Sequence, residues 1–156
     1  MKKRIIPSIL LYRGTSVSIS RGFQPWRTVG ALAQQLRLQV SRECDEIVLI
    51  NIDGSNMPSF EISKRILSLV RKEVNIPIAY LGGIHDAVSA SQCINQGFDK
   101  VYVTSAYLNN TDCIHDISSV IGAQSLGVCL PYSRQNDLNI PLVWDYKKRC
   151  CFDENI

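Results

Sequence analysis

The sequence predicts an α/β fold built on a parallel sheet, with about five strands alternating with four helices. Three observations lead there. Short, almost continuously apolar runs recur along the chain, which is how strands buried on both faces read. The stretches between them carry apolar residues at helical spacing. The two patterns alternate, and a strand–helix–strand succession packs as parallel strands joined by right-handed crossovers.

The first strand is Ile5–Leu11. Val29, Leu32, Ala33, Leu36 and Val40 then fall at i, i+3, i+4, i+7 and i+11, one face of a helix. Glu46–Ile52 is the second strand, and Ile62, Ile66, Leu69 and Val70 repeat the helical spacing. The third strand is Ile76–Leu81. A helix follows, opened by Asp86 as N-cap and stopped at Gly97. Lys100–Thr104 is the fourth strand; Ile114, Ile117 and Ile121 mark a helix ending at Gly122. Ser125–Leu130 is the fifth strand, with Cys129 read as a small core hydrophobe. After Pro131 the pattern decays. Residues 1–134 therefore form the (β/α) domain, and 135–156 a short strand near Leu142–Trp144 and a flexible C-terminal tail.

Composition sets the class. The chain has 156 residues, 46% hydrophobic and 20% charged, as expected of one soluble domain with a real core. The net charge of +3 is scattered over Lys2-Lys3-Arg4, Lys64-Arg65, Arg71-Lys72 and Lys147-Lys148-Arg149, which reads as solvated surface and argues against a nucleic-acid partner. No apolar run approaches the roughly 18 residues of a membrane span. The basic N-terminus is interrupted by Pro7 and Ser8 and has no cleavage site after it. The expectation is a cytoplasmic protein without a membrane partner. Six cysteines (44, 93, 113, 129, 150 and 151) include no C-x-x-C pair, and there are two histidines, His85 and His115. Neither a metal nor a cofactor is expected. The histidines suit surface or capping roles, and the vicinal Cys150-Cys151 pair suits exposed free thiols.

Five parallel strands fit two architectures: an open doubly wound sheet, or part of an eight-stranded barrel of about 250 residues. Periodicity does not choose between them, but particular residues do. Lys3-Arg4-Ile5-Ile6-Pro7-Ser8-Ile9-Leu10-Leu11 resembles the first strand of the imidazole glycerol phosphate synthase cyclase subunit family, "KRIIPCLDV". It is closer still to the "KRIIPCLLL" of relatives in surface-polysaccharide gene sets. Asp45–Ile52 resembles the "DELVFLDI" second strand, and Ile76–His85 the "IPxxxGGGIxx" strand and turn. Gly97–Val101 and Gly122–Ser125 resemble "GADKV" and "GSQ". The likeness runs in order from about residue 2 to 134.

The resemblance implies an α/β chain truncated to about the N-terminal half of a (β/α)8 TIM barrel. It also implies a chemistry: the family's barrel condenses ammonia from a glutaminase partner with a phosphorylated intermediate, at the C-terminal mouth of its strands. Its two acid/base aspartates match Leu10 and Pro131 here, and neither can move a proton. Asn51 replaces a further aspartate, and Asp53 is the candidate substitute carboxylate, or else a loop cap. Gly82, Gly83, Thr104 and Ser105 match a phosphate site; the plainer reading of Gly82-Gly83 is a tight turn. At the opposite end, Arg4, Glu46 and Lys100 match a charged gate beside the glutaminase, and Asp99 a glutaminase contact. An ordinary ion network would also account for the three gate residues.

The leading expectation is a catalytically impaired, cyclase-like protein that binds or scaffolds in a glutamine amidotransferase-linked pathway of histidine or surface-sugar biosynthesis. The expected partners are a glutaminase subunit, a phosphorylated small molecule, and a second copy or second half-barrel. Two other readings stay open: an active ammonia-dependent enzyme completed by a second half-barrel chain, and a phosphate-ligand binding module.

Overall fold

The computed structural model describes residues 3–20, 24–53, 66, 68–133, 142–145 and 150–151. Strands β1 (Ser8–Tyr12), β4 (Ile47–Asn51), β5 (Ile78–Leu81), β6 (Lys100–Val103) and β7 (Leu126–Val128) lie side by side in that order and are parallel throughout. Each parallel strand is laid down next to the one before it. Nowhere does the order reverse, as it would in a doubly wound sheet, so right-handed crossovers carry every helix to the same face. That is the winding of a (β/α) barrel, and five strands are about half of one.

The helices are α1 (Leu32–Ser41), α2 (through 66 and 68–73), α3 (Ala87–Asn95), the short α4 (Ser105–Asn109) and α5 (Cys113–Ile121). Ladder register sorts the strand residues by face, because side chains alternate along a strand. Ile9, Leu49, Tyr80 and Val101 align across β1, β4, β5 and β6. They are buried in one core with Leu36 of α1, Val70 of α2, Cys93 of α3 and Ile117 of α5. Tyr80 stacks obliquely on Phe98, with ring centroids 5.1 Å apart. The row one residue on (Leu10, Ile50, Leu81, Tyr102) faces away from the helices and is only half-buried.

Two features hold the strand starts. Asp45 and Asp99 play the same part twice: Asp45 accepts from the Ile5 N–H at 2.8 Å and donates its own N–H to the Ile5 carbonyl. Asp99 does both to Ile78. Asp86 caps α3 as its position predicts, accepting from the Ser89 N–H at 2.7 Å in a reciprocal capping box. These hydrogen bonds hold the Asp86 carboxyl below the usual carboxylate range.

The structure corrects several details of the sequence reading. An antiparallel hairpin, β2 (Thr15–Ile19) and β3 (Pro25–Gly30), follows β1 where a loop and helix start were expected. Val29 belongs to β3 and is exposed, so its helical spacing with Leu32 is coincidental. The fifth strand is shorter than Ser125–Leu130, because a 3-10 turn occupies Ala123–Ser125. Cys129 lies beyond its end and is exposed; among the described residues β7 has no strand on its far side. β8 (Tyr132–Ser133), β9 (Leu142–Asp145) and β10 (Cys150–Cys151) form a separate antiparallel sheet, with β9 lying where a short strand was expected. The thiol groups of Cys150 and Cys151, and residue Ile62, lie outside what the structure describes.

Candidate functional site at the strand ends

Because all five strands run the same way, the residues that follow them collect at one mouth. After β5 the chain turns through Gly82 (φ +122°) and Gly83 (φ +72°), conformations that side chains rarely adopt. A Cβ on Gly82 would clash with the Asn51 carbonyl oxygen, so the turn is seated directly on the end of β4. After β6, Thr104 and Ser105 open α4. Leu81 and Tyr102 are neighbours in register, so the Gly82-Gly83 turn and the Thr104-Ser105 pair follow adjacent strand ends. Among the described residues, neither the two glycine N–H groups nor the two hydroxyls have a hydrogen-bond partner. All four residues are half-exposed. Four uncommitted donors at adjacent strand ends suit an anion.

Asn51 links the mouth together. Its Nδ2 donates to the Tyr80 hydroxyl at 3.1 Å, and its Oδ1 accepts from the Asp53 N–H at 3.1 Å. The Asp53 carboxylate accepts in turn from the Arg13 N–H at 3.2 Å, holding Arg13 at φ +49° in the turn between β1 and β2. Asp53 thus has a loop-closing partner, which accounts for its position without chemistry. Tyr80 was not singled out in the sequence, where a tyrosine inside an apolar strand gives no signal. Burial pushes its phenol up to about 12, and the hydrogen bond from Asn51 acts the other way.

The remaining candidates separate by location. Leu10 lies on the inner face beside Ile50, and Pro131 is half-buried beyond the end of β7. Arg4, Glu46, Asp99 and Lys100 gather at the opposite end, around the strand starts. Arg4 and Asp99 are exposed, Lys100 is half-buried, and Glu46 is 5% exposed. They form no ion network: the ion pair among the described residues is Arg37–Glu73, at 2.9 Å between α1 and α2. Both histidines are exposed. No group of three His, Cys, Asp or Glu among the described residues is placed to hold a metal ion, and none of the described helices is long and apolar enough to cross a membrane.

Comparison with known proteins places this geometry. Residues 4–142 match the model of the family described as histidine biosynthesis protein. The chain belongs to that family. It is 31% identical over 137 residues to a Campylobacter jejuni protein provisionally named imidazole glycerol phosphate synthase subunit hisF2, covering 88% of this chain and 54% of that one. The imidazole glycerol phosphate synthase subunit HisF of Chlorobium phaeovibrioides is 31% identical over 140 residues, covering 88% and 54%. That of Thermococcus onnurineus is 29% identical, covering 83% and 51%. The chain spans about half the length of the curated relatives it matches. Its half-barrel winding and its cyclase-subunit-like sequence therefore agree.

Proposed function

We propose that this histidine biosynthesis family member is a phosphate-holding half-barrel that does not itself carry out the cyclase reaction, and that it binds or scaffolds within a glutamine amidotransferase-linked pathway of histidine or surface-sugar biosynthesis. The supporting observation is the composition of the mouth. Four uncommitted donors follow β5 and β6, while Leu10 and Pro131 stand where the resemblance expects the two proton-transferring acids. Amine attack and ring closure each need a proton moved at the reacting atom. Asp53 is the nearby carboxylate, and it is engaged by the Arg13 N–H.

Holding a phosphate needs none of this. Backbone N–H groups at Gly82 and Gly83 and the hydroxyls of Thr104 and Ser105 offer oriented donors to its oxygens. Asp86, close to the turn in sequence and ionised at neutral pH, disfavours an anion. Binding is therefore weak, on the order of millimolar, or about 4 kcal/mol. The candidate partners are a phosphorylated small molecule at the mouth and a glutaminase at the Arg4–Glu46–Asp99–Lys100 end.

The test is a phosphate titration followed by amide NMR, with ammonia-dependent turnover of the family substrate measured on the same sample. Shifts at Gly83 and Ser105, together with turnover below about a thousandth of a typical 10 s⁻¹, are expected. Shifts confined to other amides refute the phosphate site. Turnover above that level refutes the non-cyclising reading and favours an active enzyme completed by a second chain.

A further inference from the structure

We propose that the inner face of the sheet, with the unpaired Ser8–Leu10 stretch of β1 on one side and the edge strand β7 on the other, is an interface with a second copy of this chain. The inference starts from the half-barrel fold and deepens the partner side of the reading above. On the outer side of β1, β2 pairs with Leu11 and Tyr12, and among the described residues Ser8–Leu10 has no ladder partner on that side. At the other end of the sheet β7 pairs with β6 alone, and beside its far edge Val128 and Leu130 are 39% and 37% exposed. Such edges invite another strand. Because β1 and β7 run in the same direction, β7 of one copy can lie parallel to Ser8–Leu10 of the other. The two-fold operation then creates the same ladder on the opposite side, which closes the assembly and leaves neither edge free.

The surface between those edges is apolar. Leu10, Ile50, Leu81 and Tyr102 form a row across it, and each is half-buried because the helices cover only the other face. Two charged groups decide in favour of a second copy over an unrelated chain. Continuing the strand alternation by one residue below β4 puts Glu46 on this face with Val48 and Ile50, and Lys100 lies on it beside Ala79. Glu46 is 5% exposed and Lys100 half-buried, and among the described residues neither has a hydrogen bond or ion pair within one chain. A carboxylate with little surface of its own and no cation beside it gains from one brought by a partner. A face that carries one unpaired carboxylate and one unpaired ammonium is complementary to itself: Lys100 of each copy can meet Glu46 of the other.

Light scattering at micromolar concentration should give about twice the 17.5 kDa chain mass. Lys100→Glu and Glu46→Lys should each weaken the dimer by tenfold or more in Kd, and the double reversal should recover most of the loss. Lys100 is the less buried position, so Lys100→Glu and the milder Lys100→Ala, checked for native circular dichroism, carry the test if Glu46→Lys does not fold. A chain that stays at 17.5 kDa with native circular dichroism up to about 100 μM overturns the proposal and means that its own C-terminal residues, or nothing, cover the face. A dimer indifferent to the Lys100 variants also overturns it, because the copies then meet elsewhere. Phosphate shifts at Gly83 are read separately and can persist in a monomer, so the two proposals fail independently.

Discussion

Gly82 is the residue on which the mouth turns. Its φ of +122° is one that side chains rarely take, and the Asn51 carbonyl occupies the space a Cβ would need. The two penalties can be told apart inside this molecule. Gly14 also has positive φ, at +74°, but a Cβ there meets nothing within 4 Å. Gly14→Ala should cost only the conformational share, about 1–2 kcal/mol. Gly82→Ala should cost clearly more, because the end of β4 must move away. Urea unfolding of the two variants measures the difference, and equal costs would mean that the turn lifts off β4 freely. Both glycines are visible in the sequence, but the contact with Asn51 is not: it joins residues 31 positions apart whose closeness depends on strand order.

Between elements, the joint that deserves a measurement is the one from β4 to β5. Asn51 donates to Tyr80 while accepting from Asp53, so one amide fixes the height of β4 against β5 and of the following loop against both. Tyr80→Phe should cost about 1 kcal/mol, since it leaves a half-buried Nδ2 without its partner. Combined with Asn51→Ala in a double-mutant cycle, the two losses should be non-additive by a similar amount; strict additivity would mean that the bond carries no stability. At this scale the sequence was legible where burial imposed a pattern. All five parallel strands and the Asp86 cap follow from apolar runs and one capping residue. The β2–β3 hairpin was not legible because β3 is exposed from Pro25 to Val29, Trp26 reaching 68%, while the two buried residues of β2, Ser16 and Val17, are adjacent. Neither strand therefore alternates in a way that can be read, and Val29 happened to fall in phase with α1. The gate residues show the opposite limit: their types suggested an ion network, but charges on neighbouring strands need not point at one another.

For the molecule as a whole, the question is whether one chain is a complete folding unit. Its helix-side core is extensive, running from Ile9 and Leu11 through Tyr80 and Phe98 to Ile117. The inner row is not closed in the same way, and burial of Leu10, Ile50, Leu81 and Tyr102 is finished only when something lies against them. If that something is a second copy, unfolding is coupled to dissociation, and mass action makes stability depend on protein concentration. Each tenfold increase then adds about 1.4 kcal/mol per mole of dimer, or about 0.7 kcal/mol per chain, which for chains of this size raises the midpoint by about 1.5–3 °C. Thermal unfolding at 1, 10 and 100 μM should therefore show two such steps. Lys100→Glu, if its dimer is weak enough to be dissociated over most of that range, should show a flatter dependence and a lower midpoint at 100 μM. A midpoint that does not move over the hundredfold range would mean that the half-barrel is stable alone, with its inner face tolerated in water.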